Sequence, residues 1–346
     1  MRSDPATQAP RVLVTGTGGP SGVSVMRALD GVDVDVYAAD IDPNAAGLYL
    51  VDEDRRGLIP RGDSEHFAAF VRDYCASRQI DVLIPTVDSE LLPLAIERES
   101  LAAAGTRLVL ASEQTLRTCL DKWVLHQRCD GWVRVPGSVV ADESFDAAGR
   151  TLPVIVKPRV GSGSRGIRLI ERVADLERIE RDGSLLVQEH LPGPEYSLDV
   201  VARADGRVVA VVPRERLKVD SGIAVTGRTV HDERLEAIAR QVAERIGLTS
   251  VANVQVKGDV HGVPALLEVN PRFPGTMPLT VASGVNMPAL CVAEALGAPM
   301  PDGPLPFADL AMVRHLEERF FGFEAIARMQ AEKALIDGAA TVAAHA

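Results

Sequence analysis

A change of pattern near residue 111 constrains this chain more than any single motif. Before it, short apolar runs alternate with helical stretches: Arg11–Thr15 (RVLVT), a helix through Leu29, Val34–Asp40, a helix over His66–Arg78, Asp81–Pro85, a helix over Ser89–Ala104, and Thr106–Ala111. Strands separated by helices predict a doubly wound parallel sheet covered on both faces. After it, a helix is expected from Ser112, its N-cap, to about Gly131. Strand pairs follow: Leu152–Pro158 with Gly166–Glu171, Glu195–Arg203 with Arg207–Pro213, and Val251–Lys257 with Val263–Asn270. DG and HG turns divide the last two pairs, which is hairpin chemistry. Helices over Asp232–Ile246 and Met287–Leu296 accompany them. The chain thus reads as α/β followed by α+β with antiparallel sheets.

The length, 346 residues, suits two or three domains of roughly 100–200 residues. With 48 acidic against 37 basic residues the net charge is −11, which argues against a general nucleic-acid binder but leaves room for a local basic cleft. No apolar run approaches the roughly 20 residues that span a bilayer, and Met1–Pro10 lacks the apolar segment of a signal peptide. Cys75, Cys119, Cys129 and Cys291 form no CxxC pair, so reduced, buried thiols in a cytoplasmic protein are expected. Residues 1–10 are expected to be disordered, and Asp337–Ala346 to form a small-residue tail.

Two glycine loops compete for attention. The first, Gly16-Thr17-Gly18-Gly19-Pro20-Ser21-Gly22, joins a strand to a helix, with Asp40 ending the next strand. Taken alone it suggests an NAD(P)-dependent oxidoreductase, with pyrophosphate on the helix N-terminus and Asp40 on a ribose. None of Tyr37, Tyr49, Tyr74 and Tyr196 has a Lys four residues on, so the proton-transfer pair of short-chain reductases is missing. A turn that only closes strand to helix is the preferred reading.

The second loop, Gly161-Ser162-Gly163-Ser164-Arg165-Gly166, lies between two strands and follows Lys157. Such a loop can fold over a triphosphate, or be a solvated hairpin turn. It is not a Walker A loop, because Ile167 stands where Lys is required. Further on, an apolar strand runs into Gln188-Glu189-His190-Leu191 and Pro192-Gly193-Pro194, a hinge that suits an adenine, with Glu195 within reach of a ribose. Leu266-Leu267-Glu268-Val269-Asn270-Pro271-Arg272 puts Glu268 and Asn270 on one strand face. With Gln255 on the preceding strand they offer oxygen ligands that suit Mg²⁺ already carrying phosphate, and Arg272 offers a fork to a phosphate. The alternative is a plain Glu268–Arg272 salt bridge.

In order, Asp121-Lys122, Val156-Lys157-Pro158, GSGSRG, QEHLPGPEYSLD, Gln255 and EVNPR resemble the ATP-grasp superfamily, in particular single-chain proteins similar to the synthetase half of carbamoyl phosphate synthase. The resemblance covers roughly residues 11–320, including DIDPNAAGLY and IPTVDSELLP in the first domain. It implies a pre-ATP-grasp domain over 11–112, a small lobe over 113–190, a large lobe with the metal site over 191–320, and a C-terminal helix and tail over 321–346. It implies ATP and one or two Mg²⁺, with Mn²⁺ as a possible substitute. Lys122 and Lys157 would hold phosphates, Ser162, Gly163, Ser164, Arg165 and Gly166 would form the lid, and Gln188, Glu189 and Leu191 would face adenine. Glu195 would meet the ribose, and Gln255, Glu268 and Asn270 the metal. Arg272 would contact the γ-phosphate, and Arg216 and Lys218 a phosphate or acyl phosphate.

The expected reaction activates a small-molecule carboxylate as an acyl phosphate and couples it to an amine. A kinase of a carboxylate or alcohol on the same fold is the alternative, and an oxidoreductase the second. One unit is present, without a second copy or allosteric domain, so carbamoyl phosphate synthesis itself is not expected. Gly18, Asp88 and Glu90 are candidates for the substrate pocket, the two acids for an ammonium, and Asp199 is a further substrate candidate. A homodimer is implied by the family alone.

Overall fold

In the computed structural model the described residues are 9–343 apart from 162 and 164, so the expectation for residues 1–8 lies outside them. The first sheet contains β1 (Arg11–Thr15), β2 (Asp35–Asp40), β3 (Arg56–Leu58), β4 (Val82–Ile84) and β5 (Arg107–Leu108). All are parallel, in the order β3-β2-β1-β4-β5. Val12, Leu13 and Val14 are wholly buried, as expected where helices cover both faces of a parallel sheet. The helices here are α1 (Pro20–Ala28), α2 (Phe67–Arg78), α3 (Asp88–Ile96) and α4 (Arg98–Ala103). The last two were expected as one helix, but Glu97 leaves helical geometry between them.

The helix expected over 112–131 is also two, α5 (Glu113–Leu120) and α6 (Lys122–Cys129). Asp121 is extended (φ −106°, ψ 111°), and its carboxylate accepts from the Trp123 amide at 2.9 Å and from Arg159 at 2.6 Å. A short acid that caps a new helix thus breaks the old one. Lys122 therefore starts a helix instead of lying in the middle of one.

The second sheet contains β6 (Ser138–Val140), β7 (Val154–Pro158), β8 (Arg168–Ile170) and β9 (Leu185–Glu189), antiparallel in the order β6-β9-β7-β8, with α7 (Val173–Leu176) beside it. Val154 and Val156 join a small core with Phe145, Leu176 and Val187. Alternation along β7 then sends Ile155 and Lys157 to the opposite face.

The third sheet holds β10 (Glu195–Ala202), β11 (Val208–Asp220), β12 (Ile223–Thr229), β13 (Val251–Gly258), β14 (Pro264–Asn270) and β15 (Ala311–Val313). It is antiparallel, ordered β14-β13-β10-β11-β12-β15. β11 does not stop at Pro213 as expected; Pro213 stays in register opposite Leu198, and its carbonyl accepts from Val230. Helix α8 (Glu233–Ile246), capped by Asp232 and ended by Gly247 at φ +64°, covers one face. Its buried Leu235, Ala239, Val242 and Ile246 share a core with Leu198, Val200 and Val254.

Helices α9 (Pro278–Ala282) and α10 (Met287–Ala295) follow, and α11 (Phe323–Ala343) runs through most of the stretch expected to be a tail. Tyr49 stacks on Phe321 at 4.5 Å, and Met329 joins the core of the first sheet. Among the described residues no helix is long and apolar enough to cross a membrane.

Candidate active site

A cleft of about 760 Å³ lies between the second and third sheets and reaches the start of α1. Its floor is the β13–β14 pair, where Gln255 stands opposite Glu268 and Asn253 opposite Asn270. Asn270 Nδ2 lies 3.5 Å from Glu268 Oε1, and Gln255 Nε2 lies 3.4 Å from Asn253 Oδ1. The three expected metal ligands therefore do converge, with Asn253 as a fourth oxygen the sequence reading missed. Among the described residues no set of three His, Cys, Asp or Glu gathers around a metal, so Glu268 is the single carboxylate of an amide-rich oxygen cluster.

Two lysines stand over it. Lys122 Nζ donates to the Gly161 carbonyl at 2.7 Å and lies 3.5 Å from Glu268 Oε2. Lys157 is 5% exposed, and its ammonium is pulled down to about 8, by burial first, against the charges of Glu268 and Glu195. The expected alternative, a Glu268–Arg272 bridge, is not what forms. Arg272 Nε donates to Asp88 at 2.6 Å and its Nη1 lies 3.3 Å from Ser21 Oγ, so this arginine joins the third sheet to the first domain. Arg272, Ser21, Gly275 and Thr276 close that end of the cleft.

At the other end Gln188, Glu189, Leu191 and Glu195 line the cleft beside Ile155 and Leu267. The Glu189 carboxylate is engaged by Arg134 at 2.8 Å and by the Gly137 amide at 3.1 Å, so only its remaining surface faces inward. Glu195 pairs with Arg216, which also reaches Gln255 Oε1 at 3.3 Å and the Gly222 carbonyl at 2.7 Å. Gly163 and Arg165 line the cleft, Gly166 adjoins them, and Ser162 and Ser164 lie outside the described residues.

Five of the expected site residues are engaged or placed elsewhere in the structure. Asp199 is 1% exposed and engaged by Arg214 (2.7 and 2.9 Å), Asn253 (2.7 Å) and Thr280, so it anchors the sheet beneath the cleft. Glu90 is 2% exposed and accepts from Thr15 Oγ1 at 2.6 Å; burial pushes its carboxyl up to about 7, which suits a core acid and not an ammonium contact. Lys218 follows a register shift after Arg216 and is exposed, and Val219 takes the place on the cleft wall that it was expected to fill. Asp88 is paired with Arg272. Gly18 is likewise no free pocket wall: its amide donates to Asp40 Oδ2 at 2.6 Å. That bond uses the acid a dinucleotide ribose would need, so the oxidoreductase reading is not favoured.

One residue had no sequence signal. His126, on α6, is buried with Nε2 3.0 Å from the Leu267 carbonyl; burial, with the charge of Lys157, lowers its pKa to about 4.

Residues 181–318 match the family described as "ATP-grasp in the biosynthetic pathway with Ter operon", and residues 17–109 match "PylC-like, N-terminal domain". Residues 181–318 thus carry an ATP-grasp domain, and a PylC-like domain precedes it. The chain's relatives include acetyl-CoA carboxylase of Dictyostelium discoideum (26% identical over 183 residues, 46% of this chain and 8% of that one). D-alanine–D-alanine ligase of Pediococcus pentosaceus is 27% identical over 168 residues, 42% of this chain and 47% of that one. The large chain of carbamoyl phosphate synthase of Xanthomonas campestris pv. campestris is 26% identical over 227 residues, 58% of this chain and 21% of that one. The match thus spans less than half the length of each of these relatives.

Among solved structures, biotin carboxylase of Campylobacter jejuni superposes with a TM-score of 0.71 at 17% identity, covering 88% of this chain and 75% of that one. L-amino acid ligase of Bacillus licheniformis gives 0.68 at 16%, covering 85% and 76%. At such identity the superpositions establish the mixed α/β fold: a parallel-sheet domain followed by antiparallel sheets.

Proposed function

We propose that the ATP-grasp domain makes this chain an ADP-forming ligase that phosphorylates a small-molecule carboxylate and joins it to an amine. The observation that carries this reading is the donor set of the cleft: the Glu268 carboxylate with the side-chain amides of Gln255, Asn270 and Asn253, beneath two buried lysines. Oxygen ligands of low total charge fit a divalent cation that brings phosphate oxygens of its own. Gln255, Glu268 and Asn270 would hold Mg²⁺, while Lys122 and Lys157 would face the triphosphate of ATP. ATP would supply the phosphoryl group, and Mg²⁺ held by these residues would neutralise its charge.

The chain's own contribution is position and charge. Lys157 is buried above the β13–β14 floor, where a cation interacts more strongly with phosphate than it would in water. Lys122, bonded to the Gly161 carbonyl, ties the second glycine loop to that floor. The loop would cover the cleft and keep water from an acyl phosphate. Arg272, fixed by Asp88 and Ser21, would orient the carboxylate at the junction with the first domain. That moves it from the γ-phosphate, where the sequence put it, toward the substrate end. The four cysteines are buried and free, which supports a cytoplasmic setting.

The test is ADP release from Mg-ATP by purified protein against a panel of amino acids and other small carboxylates and amines, with products followed by mass spectrometry. Substrate-dependent ADP with a dehydrated conjugate is expected, falling at least about 100-fold in Glu268→Gln. ADP with a phosphorylated product and no conjugate would replace ligation by the kinase reaction. Tight NAD(P) binding without Mg-ATP binding would overturn the proposal.

A further inference from the structure

Strand β14 breaks its own alternation at the metal site. Leu266 and Val269 both point into the main core, three residues apart instead of two. The pairing shows why: Val256 faces Leu266 and Gln255 faces Glu268, leaving Leu267 without a partner on β13. This is a β-bulge, in which two residues oppose one and successive side chains can share a face. As a result Leu267 and Glu268 both line the cleft, one beside the hinge and one among the oxygen ligands. An unbroken strand would present one of them and bury the other.

A bulge leaves backbone groups outside the ladder, and these need partners. The Leu266 amide donates to the Arg134 carbonyl at 2.8 Å. The Leu267 carbonyl is met by His126 Nε2 at 3.0 Å, from a ring only 3% exposed. His126 Nδ1 is buried with no hydrogen-bond partner. A buried imidazole that leaves one nitrogen unsatisfied is costly, so its single bond is the feature that accounts for it. Burial and the neighbouring lysine charges keep the ring neutral, and the Nε2–H tautomer is the one that can donate to a carbonyl.

We propose that His126 is a positioning residue whose Nε2–H pins the Leu267 bulge and so sets the direction in which Glu268 enters the metal site. This role rests on the reading of Glu268 as a metal ligand. His126 itself touches neither metal nor nucleotide. An interaction that orients a ligand typically moves metal affinity by about 10–100-fold when lost.

The experiment titrates Mn²⁺ into the full chain with a non-hydrolysable ATP analogue and reads bound metal by electron paramagnetic resonance. Metal-free ADP affinity and thermal melting are measured in parallel. His126→Leu is expected to weaken Mn²⁺ on the order of tenfold while metal-free ADP affinity stays within about twofold. His126→Gln, whose Nε2 can stand where the ring Nε2 stood, is expected to recover most of the loss. His126→Asn, with its amide one carbon short, is expected to recover little, and it serves as the deletion if His126→Leu does not fold. Unchanged Mn²⁺ affinity in a folded Leu or Asn variant would overturn the proposal, as would equal losses in Gln and Asn. Glu268→Gln is the control: if it leaves Mn²⁺ binding intact, the metal site itself is misassigned, and the role of His126 falls with it.

Discussion

The two glycine loops have similar composition and opposite physics. In the first, a Cβ on Gly22 would sit 2.5 Å from the Gly16 carbonyl oxygen and 2.7 Å from Thr17 Cα. Glycine is required there for space, because α1 is packed hard against the turn that precedes it. In the second, among the described residues, a Cβ on Gly161 would meet nothing within 4 Å, and one on Gly163 would meet Arg165 Nε at 3.8 Å. Glycine is used there for conformation: Gly161, Gly163 and Gly166 have φ of +135°, +70° and +74°. The closed loop is stitched by Thr86 Oγ1 to the Thr15 carbonyl at 2.7 Å and by Asp40 to Gly18. The open loop is tied to the floor of the cleft through Lys122. Glycine spacing alone does not distinguish a tightly packed turn from a loosely packed one; the neighbours of the absent side chains do.

The largest expected effect tests how dry the joint beneath the first loop is. Glu90, bonded to Thr15 just before that loop, has its carboxyl raised from 4.5 to about 7 by burial. The native state therefore keeps a proton that the unfolded chain releases. Stability from this group is full below about 4.5, falls as pH rises through the window up to about 7, and is constant above it. Glu90→Gln removes the titration. The stability of the variant relative to wild type should therefore rise by up to about 3 kcal/mol between pH 4.5 and 8, read by urea unfolding at both pH values. Comparing one variant at two pH values cancels the cost of seating the amide. A difference that does not change with pH would mean that water reaches this acid and that the joint is looser than its packing suggests.

A paired substitution separates the two loops directly. Gly22→Ala should destabilise by about 2 kcal/mol through overpacking against backbone, while the KM for ATP of the folded protein stays within about twofold. Gly163→Ala places an L-residue at φ +70° in open space, a strain of about 1 kcal/mol. That strain should appear as a roughly fivefold higher KM for ATP with little change in melting temperature. The reverse pattern, with the nucleotide feeling Gly22 and the melt feeling Gly163, would break the contrast.

What the sequence made legible follows from periodicity and its limits. The parallel sheet was readable because β1 and β4 are short runs with apolar centres (Val12–Val14 and Val82–Ile84) and helical patterns between them. The convergence of Gln255, Glu268 and Asn270 was readable because β13 and β14 form a tight hairpin, where neighbouring strands follow from the turn. Breaks produced by single polar side chains were not readable. Asp121 divides a helix whose apolar pattern continues through it, and Asp199 lies in a polar-looking motif yet is buried against Arg214. His126 carried no signal, since a histidine in a helical pattern says nothing of the carbonyl it meets across the fold. Edge strand β15 depends on a pairing with β12 about 80 residues away, and no local pattern announces it.

The smallest expected effect concerns Lys218, and it asks whether bulges or alternation govern the cleft wall. Strict alternation puts Arg216 and Lys218 on one face. The register shifts around Lys218 leave Arg216 bonded within the cleft and bring Val219 to the wall, with Lys218 in solvent. Lys218→Ala should change kcat/KM by no more than about twofold, as for a surface residue away from the site. Arg216→Ala removes the partner of a half-buried Glu195 and should cost on the order of tenfold. A tenfold loss at Lys218 would place its ammonium in the cleft during turnover, through rearrangement of the β11–β12 hairpin. The wall of the cleft would then move with the proposed lid, and the contrast would lie between the packed turn of the first loop and everything proposed to face the nucleotide.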